Sequence, residues 1–136
     1  MAHPNKAKGD RAEAAVRDLI LEWFPESWRT RAGFDEDRGD IILDVLGDKS
    51  LMVAIQVKDT AARPGMPEMD ALAEQVRNGG SRWGAIWWKL RGRASGGDPR
   101  KWQVVMKGED YLALLEHVRK LHRHLDGIGA DGEALL

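Results

Sequence analysis

The stretch Leu51-Met52-Val53-Ala54-Ile55-Gln56-Val57-Lys58 is apolar except for Gln56 and Lys58, which stand two residues apart at its end. Strand side chains alternate faces, so Gln56 and Lys58 project together while Leu51, Val53, Ile55 and Val57 project to the other face, where they form core. Eighteen residues before Lys58, Asp40 opens a matching run, Asp40-Ile41-Ile42-Leu43-Asp44-Val45-Leu46. The connection Gly47-Asp48-Lys49-Ser50 makes the two runs an antiparallel hairpin. Neighbouring strands that carry polar groups into an apolar sheet form a candidate reaction centre. An ammonium on a sheet face needs a counterion or a phosphate, although Lys58 also fits a plainer role as a strand-end lysine whose amine reaches water.

Outward from the hairpin, Ala12, Ala15, Val16, Leu19, Ile20 and Trp23 repeat with the spacing of an amphipathic helix, which Pro25 ends. Glu13 falls at the edge of that stripe beside Val16 and Ile20; its carboxylate either points into a cleft or pairs on the surface with Arg17, four residues on. Residues Trp28 to Gly33 read as a short strand and Phe34 to Arg38 as an acidic loop. After the break at Arg63-Pro64-Gly65-Met66-Pro67, Met69, Leu72, Ala73 and Val76 form a second helical stripe that stops at Asn78-Gly79-Gly80. Trp83 to Leu90 and Lys101 to Lys107 read as strands, and Leu114, Val118, Leu121 and Leu125 outline a helix opening near Gly108-Glu109-Asp110. The predicted order is helix, three strands, helix, two strands, helix: a mixed α/β sheet flanked by helices. Residues 1–126 are expected to form one domain and 127–136 a flexible tail.

Composition bounds the function. With 136 residues, 43% of them hydrophobic and 32% charged, the chain fits one soluble core. No window is apolar enough to span a membrane, and the start lacks a secretory segment, so a cytoplasmic protein is expected. Zero cysteines exclude disulfides and thiolate metal sites. A net charge of −1 means that any nucleic-acid surface must come from local clusters. The loop from Arg91 to Lys101 is one such cluster; it is either a solvated hairpin loop or a loop that follows phosphates.

Lys8-Gly9 with Glu13 on the first helix, Arg38-Gly39-Asp40 opening one strand and Gln56-Val57-Lys58 ending the next together resemble the PD-(D/E)XK nuclease superfamily. Within it, the compact size and the Lys-Gly-x-x-x-Glu start resemble archaeal-type Holliday junction resolvases, phage-encoded relatives included, over about residues 6 to 118. The resemblance implies a restriction-endonuclease-like fold and a homodimeric, metal-dependent endonuclease of branched DNA that leaves 5′-phosphate and 3′-hydroxyl ends. If the chain is phage-encoded, its place is the host cytoplasm. Glu13, Asp40, Gln56 and Lys58 are the implied catalytic residues. Glu13, Asp40, the Gln56 side-chain oxygen and the Val57 carbonyl would hold Mg²⁺ or Mn²⁺, and Lys58 would orient the attacking water. Lys6, Lys8, Arg29, Arg31, Arg91 and Arg93 are the implied DNA contacts; Arg29 and Arg31 alternatively neutralise Asp35, Glu36 and Asp37.

Gln56 departs from the family pattern, which has an acid there; the amide keeps a carbonyl oxygen for a hard cation but gives up its charge. Two alternatives therefore stand beside junction cleavage: a restriction or repair endonuclease acting on duplex DNA, and a non-catalytic nucleic-acid-binding module.

Other residues read more simply. Asp44 lies about 13 Å along the strand from Asp40, too far to share one metal. His117, His122 and His124 lack the i, i+4 pair of a helical zinc site. Trp83 and Trp87 share one strand face and Trp88 takes the other, as expected for packing rather than base stacking. The site also makes a geometric demand. If Asp40 is to meet Gln56 and Lys58, opposed residue numbers in the hairpin must have an even sum, such as 98, with an odd loop like Asp48-Lys49-Ser50, or a bulge must intervene.

Overall fold

In the computed structural model, the backbone is described for residues 4–30, 37–89 and 97–131, and the side chains for 8–30, 37–89 and 97–127. The elements are α1 (Pro4–Trp23), β1 (Trp28–Arg29), β2 (Ile41–Asp44), β3 (Met52–Lys58), α2 (Met66–Gly79), β4 (Trp83–Trp88), a 3-10 turn (Pro99–Lys101), β5 (Gln103–Val105) and α3 (Gly108–Asp131). This is the expected α-β-β-β-α-β-β-α order with one added turn. The chain divides into two units, Met1–Met106 and Lys107–Leu136.

The first unit is built on a mixed sheet of order β1-β2-β3-β4-β5, antiparallel throughout except for the parallel pair β3 and β4. Parallel neighbours need a crossover, and α2 supplies it. Its start is marked by Pro67 in the first turn and by Glu68, whose carboxylate accepts the Gly65 N–H at 2.9 Å. Its end is set by Gly80, whose φ of 70° is the left-handed conformation that glycine adopts without penalty.

The two faces of the sheet carry different helices. Ala12, Val16 and Ile20 of α1 pack on Ile41, Ile55, Val57 and Ala85, with Trp102 closing the cluster. Burying Val16 or Ile20 contributes about 1.5–3 kcal/mol each. Ile86, the neighbour of Ala85 and so on the opposite face, packs against Met69 and Leu72 of α2. Both faces of β4 are therefore covered, which explains the unbroken apolar run Trp83-Gly84-Ala85-Ile86 and its full burial. At Gly84 the helix lies flush on the strand: a Cβ there would come within 2.7 Å of Val76 Cγ2 and 2.8 Å of Leu72 Cγ.

The strands are shorter than the alternation predicts. β1 ends at Arg29, although Thr30 still donates its N–H to the Asp40 carbonyl at 2.9 Å; residues 31–36, including the rest of the predicted strand, lie outside the described residues. β5 begins only at Gln103 because Asp98 caps the Pro99–Lys101 turn, accepting the Arg100 N–H at 3.1 Å, and the Trp102 N–H returns to the Pro99 carbonyl at 3.3 Å. The backbone of Lys101 and Trp102 is thereby committed to the turn. Trp83 is buried while Trp87 and Trp88 are half-buried; their indole N–H groups donate to the Pro99 and Thr60 carbonyls at 3.0 and 2.8 Å, so all three serve packing.

The second unit contains α3, whose first turn carries Glu109 and Asp110, a favourable place for negative charge on a helix. It runs to Asp131, and residues 132–136 lie outside the described residues. Among the described residues, no helix is long and apolar enough to cross a membrane.

Candidate active site

The hairpin meets the geometric demand. Ile41 opposes Ile55, Leu43 opposes Val53 and Asp44 opposes Met52, an even sum of 96 rather than 98. Asp44 builds the turn: its carboxylate accepts the Gly47 N–H at 3.0 Å and the Lys49 N–H at 3.1 Å, while its own N–H donates to Ser27 Oγ at 2.9 Å. Its buried carboxylate is thus structural, as its distance from Asp40 along the strand implied. At the other end of β2 the ladder is irregular. The Asp40 N–H donates to the Ile55 carbonyl at 2.9 Å although Ile55 already opposes Ile41, so two residues of one strand face one of the other, the mark of a bulge. Gly39, at φ 97°, makes the bend possible.

The bulge puts the Asp40 side chain to work in the sheet. In a regular ladder the Val57 N–H would donate to the Gly39 carbonyl. That carbonyl instead accepts from Thr30 Oγ1, and Asp40 Oδ2 takes the Val57 N–H at 2.8 Å. The preceding loop is held from α2: Asp37 accepts the Gly39 N–H at 3.0 Å on one oxygen and Gln75 Nε2 at 2.8 Å on the other, and its carbonyl accepts Asn78 Nδ2 at 2.9 Å. Gln75 is buried while Asp37 is exposed, so the tie runs from the core to the surface of the loop. Burial pushes the Asp40 carboxyl up from 3.8 to about 6; the Val57 N–H pulls it down, the Glu13 charge raises it, Lys58 lowers it and Asp37 raises it again.

Glu13 reaches this place from α1. Its side chain is 14% exposed and its Oε1 lies 2.6 Å from Arg29 Nε on β1. The partner is therefore Arg29, whereas Arg17 turns to Asp18 at 3.5 Å. Lys58 ends β3 beside Trp88 of β4 and has no ion pair among the described residues, which leaves its ammonium available. Gln56, two residues earlier and paired with Ile86, is half-buried. The next residue after Lys58, Asp59, was not singled out in the sequence. Its side chain is 2% exposed, with Lys8 Nζ at 3.5 Å and Lys89 Nζ at 3.7 Å. The signal was an acid directly after the strand-end lysine, and its meaning depended on two lysines remote in sequence. Asp37 was missed for a similar reason, since it read as one of several loop acids.

The structure thus brings Asp40, Glu13 and Lys58 close enough for their charges to act on one another, with Val57 bonded to Asp40. The donor set suits a hard cation. Asp40 Oδ2 takes the Val57 N–H and Glu13 Oε1 takes Arg29, so each carboxylate keeps a second oxygen. A positive ion there would offset both the burial of Asp40 and its repulsion by Glu13. Among the described residues no three His, Cys, Asp or Glu side chains gather around one point, so a third protein ligand would have to be an amide or carbonyl oxygen such as those of Gln56 and Val57. Of the basic residues, Lys8 is paired with Asp59 and Arg29 with Glu13. The Lys6 side chain, Arg31, Arg91 and Arg93 lie outside the described residues. An apolar hollow of about 400 Å³ lies elsewhere, lined by Leu19, Trp23, Phe24 and Trp87 among others, and includes none of the four candidate catalytic residues.

Among solved structures, the chain is similar to Hjc, a Holliday junction resolvase from the archaeal hyperthermophile Archaeoglobus fulgidus, with a TM-score of 0.46 and 25% identity over 73% of this chain and 72% of that one. No family model and no curated protein matches the chain.

Proposed function

We propose that this chain is a metal-dependent endonuclease that hydrolyses phosphodiesters in branched DNA, acting as a homodimer. The observation that carries the reading is the convergence of a half-buried carboxyl just before β2, a carboxylate from α1 and a lysine at the end of β3 with no ion pair among the described residues, with Asp40 joined to β3 through its hydrogen bond from Val57. A structural role alone gives little reason to set the half-buried Asp40 beside Glu13, because the Glu13 charge makes the Asp40 carboxyl harder to ionise. A reaction that needs a cation does. The branched substrate follows from the Lys8-Gly9 and Glu13 start, which resembles junction resolvases, and the dimer from the need for two symmetry-related cuts.

Asp40 and Glu13 would hold Mg²⁺ or Mn²⁺, with the Gln56 side chain and the Val57 carbonyl as further oxygen donors. The chemistry such an ion supplies is polarisation of the scissile phosphate. The chain's own groups do the rest. Lys58 orients the attacking water and balances the negative charge that grows on the phosphoryl oxygens. Water adds at phosphorus, the bond to the 3′ oxygen breaks, and that oxygen leaves with a proton, giving 5′-phosphate and 3′-hydroxyl ends. Lys6, Lys8, Arg29, Arg31, Arg91 and Arg93 would contact the DNA backbone. Lys8 and Arg29 would do so by exchanging their present carboxylate partners for phosphates.

One feature favours a second reading. Glu13 is neutralised by Arg29 and position 56 carries no charge, a combination that suits a binding module that no longer cuts. Incubating the protein with a four-way junction and with linear duplex, in Mg²⁺, in Mn²⁺ and in EDTA, separates the readings. Junction cleavage in metal only, abolished by Lys58→Ala with junction binding retained, is expected. Equal cutting of both DNAs points to the duplex endonuclease, and binding without cutting in either metal sinks the enzymatic reading.

A further inference from the structure

We propose that Arg63, laid on the indole of Trp88 beside Lys58, is a preformed phosphate contact for the DNA strand that passes the reaction centre. The connection from β3 to α2 carries this arginine and is tied down at both ends. At its start the Asp59 carboxylate, nearly closed to water, has Lys8 Nζ at 3.5 Å and Lys89 Nζ at 3.7 Å. The Thr60 carbonyl accepts the Trp88 indole N–H at 2.8 Å, and Thr60 Oγ1 donates to the Ala62 carbonyl at 3.0 Å. At its end the Gly65 N–H donates to the Glu68 carboxylate at 2.9 Å. Pro64 disfavours a helical backbone at Arg63 and so keeps the chain extended there. Arg63 thereby lies over the Trp88 ring, its Cζ 6.0 Å from the centroid.

Trp88 pairs with Lys58 in the parallel ladder of β3 and β4. Paired residues of neighbouring strands point to the same face of a sheet, so the ring that carries Arg63 stands next to the Lys58 side chain. The chemistry of Arg63 suits a phosphate. It is exposed and makes no ion pair among the described residues, whereas Lys8 and Arg29 are both held by carboxylates. Stacking covers one face of the guanidinium and leaves its N–H edges open, the geometry that grips two phosphate oxygens at once. Because the indole holds the side chain before DNA arrives, less rotamer freedom is lost on binding. Ala61 and Ala62, both exposed, have no side chain beyond Cβ to block the approach. A structural role explains less, since a cation–π contact at an exposed site adds little to a fold.

DNA as the ligand rests on the endonuclease reading, and the measurements separate the two. Binding of a four-way junction by the full chain is followed by fluorescence anisotropy in EDTA over a range of salt. Arg63→Ala is expected to weaken binding about tenfold or more and to make the dependence of log affinity on log salt shallower by about one, as the loss of one phosphate contact does. Arg63→Lys should restore the salt slope, because the charge returns, but not the full affinity, because the flat fork does not. Trp88→Leu tests the indole as a positioning residue: it should weaken binding in the wild type and have little further effect in Arg63→Ala. Arg63 is exposed, so its variants should unfold thermally with the wild type, and they decide the matter alone if Trp88→Leu does not fold. Junctions in which one phosphate at a time near the branch is replaced by an uncharged methylphosphonate locate the contact: one replacement should weaken the wild type and leave Arg63→Ala unaffected. Wild-type affinity and slope in Arg63→Ala overturn the contact and leave the endonuclease reading standing. A loss of affinity at unchanged slope, reproduced by removing a base rather than a charge, shows base stacking and overturns the contact to phosphate. Binding that depends on Arg63 without cleavage in Mg²⁺ or Mn²⁺ supports the contact and sinks the enzymatic reading. A wild type that binds no DNA overturns both.

Discussion

Asp40→Asn should make the metal-free protein more stable at neutral pH while abolishing the proposed DNA cleavage. Asparagine keeps an oxygen for the Val57 N–H and nearly the same shape, so the substitution isolates the charge. The carboxyl titrates near 6 in the fold against 3.8 for the free group. Its folded pKa lies above the unfolded one, so the folded chain binds the proton more tightly; the stability this contributes is fully present below pH 3.8 and is lost as pH rises through about 6. A rise of about two units, at roughly 1.4 kcal/mol each, is about 3 kcal/mol, an upper bound because water can reach a half-buried group. Asparagine carries no such cost at any pH. Urea denaturation in EDTA, followed by tryptophan fluorescence, should therefore show the variant ahead by up to about 3 kcal/mol near pH 8 and by a few tenths near pH 4. For a chain of this size that is a rise in Tm of roughly 6–12 °C at the higher pH. Other titrating groups are common to both proteins and cancel in the difference. Added Mg²⁺ should raise the wild type's stability and leave the variant's unchanged. A stability difference that does not vary with pH, or a variant less stable than wild type near pH 8, would refute the claim that burial holds this carboxyl at a cost.

Three further outcomes follow from the same geometry. Gln56→Glu adds a full charge to the cation site and should tighten Mn²⁺ binding about tenfold or more, read by calorimetry; an unchanged affinity removes Gln56 from the ligand set. Arg29→Ala frees Glu13 from its 2.6 Å ion pair and should also tighten Mn²⁺ binding, while weakening DNA binding if the arginine serves both partners; unchanged metal affinity would mean that Glu13 is not a ligand. Gly84→Ala drives a methyl to within 2.7 Å of Val76 and 2.8 Å of Leu72, and should destabilise the fold by about 1–3 kcal/mol in urea denaturation at any pH, in contrast to the pH-dependent effect at Asp40.

Period and parity made much of this molecule legible in the chain. The pattern from Leu51 to Lys58 places Val57 in the core and leaves Lys58 half-buried because alternation is a property of the strand itself. The helix ends at Trp23 and Gly80 are likewise local, set by Pro25 and by a glycine free to take positive φ. The requirement that Asp40 meet Lys58 also implies an even register or a bulge in the hairpin, from parity alone. Parity could not say that both occur. Whether a strand accepts one extra residue depends on what rescues the displaced hydrogen bonds, and here the rescuers are Thr30 from β1 and Gln75 from α2, by way of Asp37.

Partner choice was the least legible feature, for a physical reason. Periodicity assigns a side chain to a face but carries no distance between elements, so Arg17, four residues along the same helix, was the natural expectation for Glu13. The fold instead lays β1 against β2 and turns Arg29 onto Glu13. Lys8 and Lys89 converge on Asp59 in the same way, from a helix and from the residue after a strand. At both places, acids with little solvent exposure take cations that sequence reasoning had left for a phosphate or for solvent. If the centre takes a metal and DNA as proposed, such pairing offsets in the free protein the charge that Glu13 sets beside Asp40. Arg29 and Lys8 then stand where an incoming phosphate would draw them off, and Glu13 would be released to the cation as DNA binds. On that account metal and DNA should bind cooperatively: Mn²⁺ affinity should rise when a non-cleavable junction is present in wild type, and rise far less in Arg29→Ala, where Glu13 is already free. Equal affinity with and without DNA would show that the Arg29–Glu13 pair is no latch, and would leave it a fixed strut between β1 and α1.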